Sequence, residues 1–216
     1  MIKISASTHP AKSNYMNYFK QLENAGIDML HCDVMDGKFV NDVTINHTDV
    51  AKIDDISTIV LDVHLMVKNP YELVKAYALS GANILTVHYE AFKSKSELLK
   101  TLKLIKDYHM LAGVSINPET SVEVLYPILK EIDLVLIMSV EPGKSGQQFL
   151  NNSLEKIKQL KLKNCEQKLN CLIEVDGGVN NKNAQQIISN GADILVVGSY
   201  LYKSEDKPQA IKNLKK

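Results

Sequence analysis

Ala25-Gly26-Ile27-Asp28-Met29-Leu30-His31-Cys32-Asp33-Val34-Met35-Asp36-Gly37 holds the pattern that decides the fold. A glycine closes an amphipathic stretch, an apolar run begins at once, and a second glycine follows that run. Gly26 reads as a helix C-terminal cap, where the chain turns left-handed and glycine is favoured. Met29–Met35 reads as a strand, with Gly37 just past its C-terminal end. The cap recurs in Ser80-Gly81-Ala82-Asn83 and Asn190-Gly191-Ala192-Asp193, a weak internal repeat.

Working outward, the same alternation covers the chain. Strands are expected at Ile2–Ser7, Met29–Met35, Ile59–Met66, Ile84–Tyr89, Leu111–Asn117, Leu134–Val140, Leu172–Asp176 and Ile194–Gly198. Helical spacing predicts helices at Tyr15–Asn24, Tyr71–Leu79, Ser96–Tyr108, Val122–Leu129, Leu154–Leu162, Asn183–Ser189 and Gln209–Leu214, with a short one at Thr48–Ile53. Strands joined by helix-length returns argue for a parallel sheet, because a parallel crossover needs that length. Eight such units close naturally into a single α/β (β/α)8 TIM barrel; an open doubly wound sheet is the alternative. The 216 residues suit that size. No linker or composition shift divides them, so residues 1–216 are expected to form one catalytic domain.

The hydrophobic fraction of 45% is ample for a core, and the formal net charge is zero. That balance excludes the basic footprint of a nucleic-acid binder. No apolar run approaches the ~20 residues of a membrane span, and the N-terminus lacks the regions of a signal peptide. Three cysteines, odd in number and without metal spacing, suit reduced thiols and a cytoplasmic location. All 25 basic Lys+Arg residues are lysine. An anion must therefore be held by ammonium groups, hydroxyls or backbone N–H groups, not by a guanidinium fork.

Residues two apart on a strand share a face. His31, Asp33 and Met35 therefore point into the barrel together, and Asp62, His64 and Met66 repeat the theme. Asp176 stands at a strand end before Gly177-Gly178, and His88 lies near the end of another strand. A buried charge is costly unless paired or metal-bound. Singly, each group reads as a satisfied polar core residue. Together, two histidines and two aspartates at strand ends suit one divalent ion, Zn²⁺, Fe²⁺, Mn²⁺ or Co²⁺. The glycines 37, 143, 146, 177, 178 and 198 fall at or beyond the C-terminal strand ends, the face where such barrels bind ligands.

The segments His31–Val40, Leu61–Val67, Met138–Gly143 and Glu174–Val179, with Asn117–Thr120 and Val197–Ser199, resemble the signatures of the ribulose-phosphate 3-epimerase family, in register over essentially the whole chain. The resemblance implies a carbohydrate isomerase of the pentose phosphate pathway. It would interconvert ribulose 5-phosphate and xylulose 5-phosphate through an enediolate, with Asp33 and Asp176 as the two proton-transfer groups. The implied metal ligands are His31, Asp33, His64 and Asp176. Met35, Met66 and Met138 match methionines lining the family's site; ordinary core filling is the plainer reading. Gly143–Gly146, Gly177-Gly178 and Gly198-Ser199 match the phosphate loops, and Ser7 a serine that touches substrate. The partners implied are a sugar phosphate and further copies of the chain in a homo-oligomer.

The family's usual Gly-Phe-Gly-Gly-Gln is Gly143-Lys144-Ser145-Gly146-Gln147 here, and its Pro-Asn after Val40 is Asn41-Asp42. Lys144 either adds a charge contact to phosphate or is simply solvated. These changes keep two other readings open: 3-epimerisation of a six-carbon ketose phosphate such as allulose 6-phosphate, and a non-catalytic sugar-phosphate binder.

Overall fold

The computed structural model describes residues 1–216, with every side chain except that of Lys12. The strands are β1 Lys3–Ser7, β2 Met29–Met35, β3 Val60–Met66, β4 Ile84–His88, β5 Leu111–Ile116, β6 Leu134–Met138, β7 Leu172–Asp176 and β8 Ile194–Val197. They pair in sequence order, all parallel, and β8 returns to β1, so the sheet closes into a single (β/α)8 TIM barrel. The open-sheet alternative is excluded by that closure. The helices are α1 Tyr15–Asn24, α2 His47–Asp54, α3 Val74–Ala78, α4 Lys95–Asp107, α5 Asn152–Gln167, α6 Ala184–Ser189, α7 Ser199–Lys203 and α8 Lys207–Leu214.

Two expected helices change character at prolines. Val122–Glu131 is a 3₁₀ segment rather than an α-helix, because Pro127 inside it has no N–H to give and crowds the preceding turn. Pro70–Leu73 likewise forms a 3₁₀ turn that leads into α3. The helix expected at Leu154–Leu162 runs longer, to Gln167, and stops where Lys168 turns left-handed with φ 55°. Several strands end a residue or two early; Asn117 and Gly198 belong to the loops instead, and Tyr89 opens a 3₁₀ turn, Tyr89–Ala91.

The core has two parts. Cys32 and Val34 of β2 join the outer layer between strands and helices, with Leu61, Val63, Leu85, Val87 and Ile173. Met29, Ile84, Leu134, Leu136, Met138, Ile194 and Val196 fill the barrel interior. The alternation read from the sequence is therefore real, with His31 and Asp33 on the inner face, beside Met29 rather than Cys32.

The repeated glycine caps lead to a shared bond at the opposite, N-terminal rim. The residue just before each even strand accepts, through its side chain, a backbone N–H of the strand before. Asp28 accepts from Ile4 at 2.8 Å, Asn83 from Leu61 at 2.7 Å, Asp133 from Ala112 at 2.9 Å and Asp193 from Ile173 at 3.0 Å. Each of these four also donates its own N–H back to the carbonyl of that same partner. Asn83, Asp133 and Asp193 then pass a carbonyl forward to Leu111, Leu172 and Lys3. Side chains and carbonyls together thus form a hoop around the rim, open only between β2 and β3.

Candidate active site

β2 and β3 lie in a register that sets His31 beside Asp62 and Asp33 beside His64. Asp33 Oδ1 stands 3.4 Å from His31 Nε2 and 3.5 Å from His64 Nδ1. Its other oxygen accepts from Ser7 Oγ at 2.7 Å. Asp176 ends β7, where Ser139 Oγ donates to the carbonyls of Asp176 and Gly177 and fixes the strand end. One ligand atom from each of His31, Asp33, His64 and Asp176 lies within 4.8 Å of every other. The structure thus brings together the four residues that the sequence singles out.

His31 Nε2 and His64 Nδ1 are fully buried and have no hydrogen-bond partner among the described residues. An unmet buried polar atom costs about 1–3 kcal/mol. Both nitrogens are the ones nearest Asp33, and two imidazoles with two carboxylates form a donor set suited to Zn²⁺, Fe²⁺, Mn²⁺ or Co²⁺. The residues therefore fit a divalent ion. Behind them, Asp62 Oδ2 accepts from His31 Nδ1 at 2.6 Å and from Ser5 Oγ at 2.7 Å, which turns Nε2 of His31 toward the cluster.

The protein's own charges push the two aspartates apart. Burial alone would raise Asp33, but the charge of His31, with His64 close by, holds it well below the ordinary carboxylate range. Burial, and then the charge of Asp33, push Asp176 up to about 7. Burial also lowers His64, to about 4, so its imidazole is neutral. For His31, burial works downward but is outweighed by Asp62 and Asp33, which hold it well above the ordinary imidazole value. Two carboxyl groups of opposite protonation, facing one space, are the usual mark of an acid–base pair.

A cavity of about 270 Å³ opens above this cluster. Ser7, Asp33, Met35, Met66, Met138 and Asp176 form its floor and walls, and Gly143, Lys144, Ser145, Gly146, Gly177, Gly178, Gly198 and Ser199 line the rest. His31 and His64 lie beneath, wholly buried. Gly177 and Gly178 take φ of +126° and +65°; a Cβ on Gly177 would meet Val140, and one on Gly178 the backbone of Gln147 and Phe149. Only glycine lets the chain pass this close. Asp42, one of the departures from the family, lies away from this cavity, 3.6 Å from His9 Nε2, and lines a neighbouring hollow that Asp33 also touches.

Several contributors were not singled out as site residues from sequence. Gln147 donates to the carbonyls of Glu141 and Lys144 and so braces the loop after β6. Tyr200 and Lys203 reach the cavity from α7, whose five residues are too few to show a periodic pattern. Asp62 was visible as an inward-facing polar residue and His88 as one near a strand end, yet their roles depend on which strand lies alongside. Glu90, beyond the end of β4, left no signal.

A profile of the Ribulose-phosphate 3 epimerase family matches residues 3–202. The Bacillus subtilis (strain 168) protein named ribulose-phosphate 3-epimerase is 42% identical over 217 residues, covering 100% of this chain and 99% of its own. The Arabidopsis thaliana protein named ribulose-5-phosphate-3-epimerase, chloroplastic, is 41% identical over 196 residues, covering 91% of this chain and 69% of its own. Among solved structures, a 3-hexulose-6-phosphate synthase superposes with a TM-score of 0.71 at 16% identity, over 99% of this chain and 98% of that one; the likeness extends to the barrel alone.

Proposed function

The chain belongs to the ribulose-phosphate 3-epimerase family, and from that premise we propose that residues 1–216 act as one catalytic domain interconverting ribulose 5-phosphate and xylulose 5-phosphate. The observation that carries this reading is the pair Asp33 and Asp176, on β2 and β7, facing one cavity with their pKa values driven in opposite directions. Epimerisation next to a ketone removes a proton from one face of C3 and returns one to the other. The ionised Asp33 takes a proton from one face and leaves an enediolate across C2 and C3. The protonated Asp176 gives a proton to the opposite face. Asp33 ends protonated and Asp176 ionised, the states from which the reverse reaction starts.

His31, Asp33, His64 and Asp176 would hold one divalent ion, Zn²⁺, Fe²⁺, Mn²⁺ or Co²⁺. When bound, it supplies a Lewis acid beside the substrate oxygens on which negative charge develops. Met35, Met66 and Met138 present a thioether wall that excludes water from the reacting carbon. The N–H groups of Gly177, Gly178, Gly198 and Ser199, with the Gly143–Gly146 loop, would grip the phosphate, since loops after strands seven and eight commonly do so in this fold. Lys144 adds the charge that no arginine supplies. Ser7 steadies Asp33 through its hydroxyl bond.

Among the described residues no helix is long and apolar enough to cross a membrane. The three free thiols agree with a cytoplasmic enzyme. The family also implies a homo-oligomer, which light scattering after gel filtration reads directly.

Wash-in of solvent deuterium at C3 of ribulose 5-phosphate tests the central reading. The enzyme should exchange that hydrogen while forming xylulose 5-phosphate; a protein that binds the sugar phosphate without exchange is not an epimerase. Lys144 and Ser145, the residues that depart from the family, line the cavity, so a six-carbon ketose phosphate belongs in the same assay. Turnover of that substrate alone would shift the assignment to it.

A further inference from the structure

His88 is wholly buried at the end of β4 and belongs to neither the cavity nor the four-residue cluster. Its ring stacks on His64, with centroids 4.9 Å apart and planes at 26°. The two Nε2 atoms lie 2.8 Å apart, so one must carry a proton and the other must not. The other ring nitrogen, His88 Nδ1, lies 3.3 Å from Glu90 Oε2. Glu90 Oε1 in turn accepts from Asn117 N–H at 2.8 Å and from Thr120 Oγ1 at 2.5 Å. The Asn117–Thr120 loop is pinned by Lys156 of α5, whose Nζ donates to the carbonyls of Asn117, Pro118 and Thr120.

With one proton on each ring, the donors and acceptors of this chain fit a single order. An ionised carboxylate can only accept, so His88 carries its proton on Nδ1, toward Glu90. With that proton spent on Glu90, His88 Nε2 is bare and accepts from His64 Nε2–H. That leaves His64 Nδ1 bare, 3.5 Å from Asp33 Oδ1, at the nitrogen the cluster needs as a ligand.

We propose that Glu90, acting through His88, is a positioning residue that fixes the tautomer of His64 so that Nδ1 is free to bind the metal ion. The inference rests on the reading of His64 as a ligand. Glu90→Gln is the sharpest probe, because the direction of the chain then reverses. Asn117 N–H cannot be turned, so it claims the amide oxygen, and the amide NH₂ is left facing His88 Nδ1. His88 then donates from Nε2 to His64 Nε2, and the His64 proton moves to Nδ1, where it blocks ligation.

Two readouts on the full chain decide the matter: ¹⁵N shifts of the His64 ring in metal-stripped protein, and Zn²⁺ affinity by competition with a chromophoric chelator. The wild type should show the Nε2–H tautomer. Glu90→Gln should show Nδ1–H and bind Zn²⁺ about 10–100-fold more weakly, the usual effect of losing an outer-shell partner. An Nδ1–H tautomer in the wild type overturns the proposal. So does a Glu90→Gln protein that melts earlier but keeps both tautomer and affinity, since that is merely a structural role. His64→Ala separates the two levels: unchanged Zn²⁺ affinity there defeats the ligand reading itself, whatever Glu90 does.

Discussion

The supports under the two buried histidines differ in construction. His31 rests directly on Asp62, a carboxylate wholly inside the barrel that is also tied to Ser5. His64 rests on a second histidine and only then on a carboxylate, Glu90, in the loop after β4. The first presents Nε2 to the cluster, and the second presents Nδ1. One ligand is therefore insulated from the loops, while the other is coupled to them through Asn117, Thr120 and Lys156. The same task, keeping a proton on the far nitrogen, is done once by the core and once by the rim.

The comparison can be broken at its centre first. Asp176 belongs to neither support, so Asp176→Asn should leave both histidine tautomers unchanged and the fold intact. Turnover should nonetheless fall by about 10²–10⁴-fold, the usual worth of a general acid–base group. Near-wild-type turnover in steady-state assays would undo the two-aspartate assignment. Asp62→Leu comes next. It removes the partner in direct contact with His31, so Zn²⁺ affinity should drop toward the upper end of the ~10–100-fold range. Glu90→Gln, acting through an intervening ring, should fall nearer the lower end. Chelator competition on both variants would reveal a reversed order, which would contradict the distinction drawn between the supports.

Protonation sharpens the contrast further. Burial and the charge of Asp33 raise Asp176 to about 7. Burial would lower His31, but Asp62 and Asp33 outweigh it and hold it above its ordinary value. His64 is neutral above pH of about 4, chiefly through burial. A metal ion binding at His31 Nε2 must therefore displace protons, the one that Asp62 and Asp33 hold on that ring among them. Affinity should climb as the pH rises. Calorimetry in buffers of different ionisation enthalpy counts those protons directly, and a pH-independent affinity would refute the assignment. The smallest effect belongs to Lys156→Met, which frees the loop beneath Glu90. It should weaken Zn²⁺ binding by about fivefold, equivalent to about 1 kcal/mol for lost hydrogen bonds, and leave the His31 ring resonances in place.

How legible these features were depends on how local they are. Met29–Met35 reads correctly from its two-residue alternation, and the inner placement of His31 and Asp33 follows from it. The Gly26, Gly81 and Gly191 caps all adopt positive φ, as their sequence context suggests. The α-helix expected over Val122–Leu129 is wrong in type, because apolar spacing is blind to what Pro127 removes. α7 was missed because five residues make little more than one turn. Asp62 could be assigned an inward face but not a partner, since the partner is fixed by the register of β2 on β3. Glu90 was silent altogether; its contacts with Asn117 and Thr120 join loops that follow different strands. Lys144 and Ser145, read both as part of the phosphate loop and as departures from the family pattern, line the cavity.

The hoop formed by Asp28, Asn83, Asp133 and Asp193 has a consequence for how the molecule tolerates change. It ties the strands together at the rim opposite the substrate and draws on none of the residues that handle protons or phosphate. Closure and chemistry are thus separately adjustable. Loops on the reactive rim can be lengthened, exchanged or re-lettered, as the Gly143–Gly146 segment has been, without loosening the chassis below. Damage to the hoop, by contrast, should be felt as lost resistance to heat long before it is felt as a change in what the enzyme recognises.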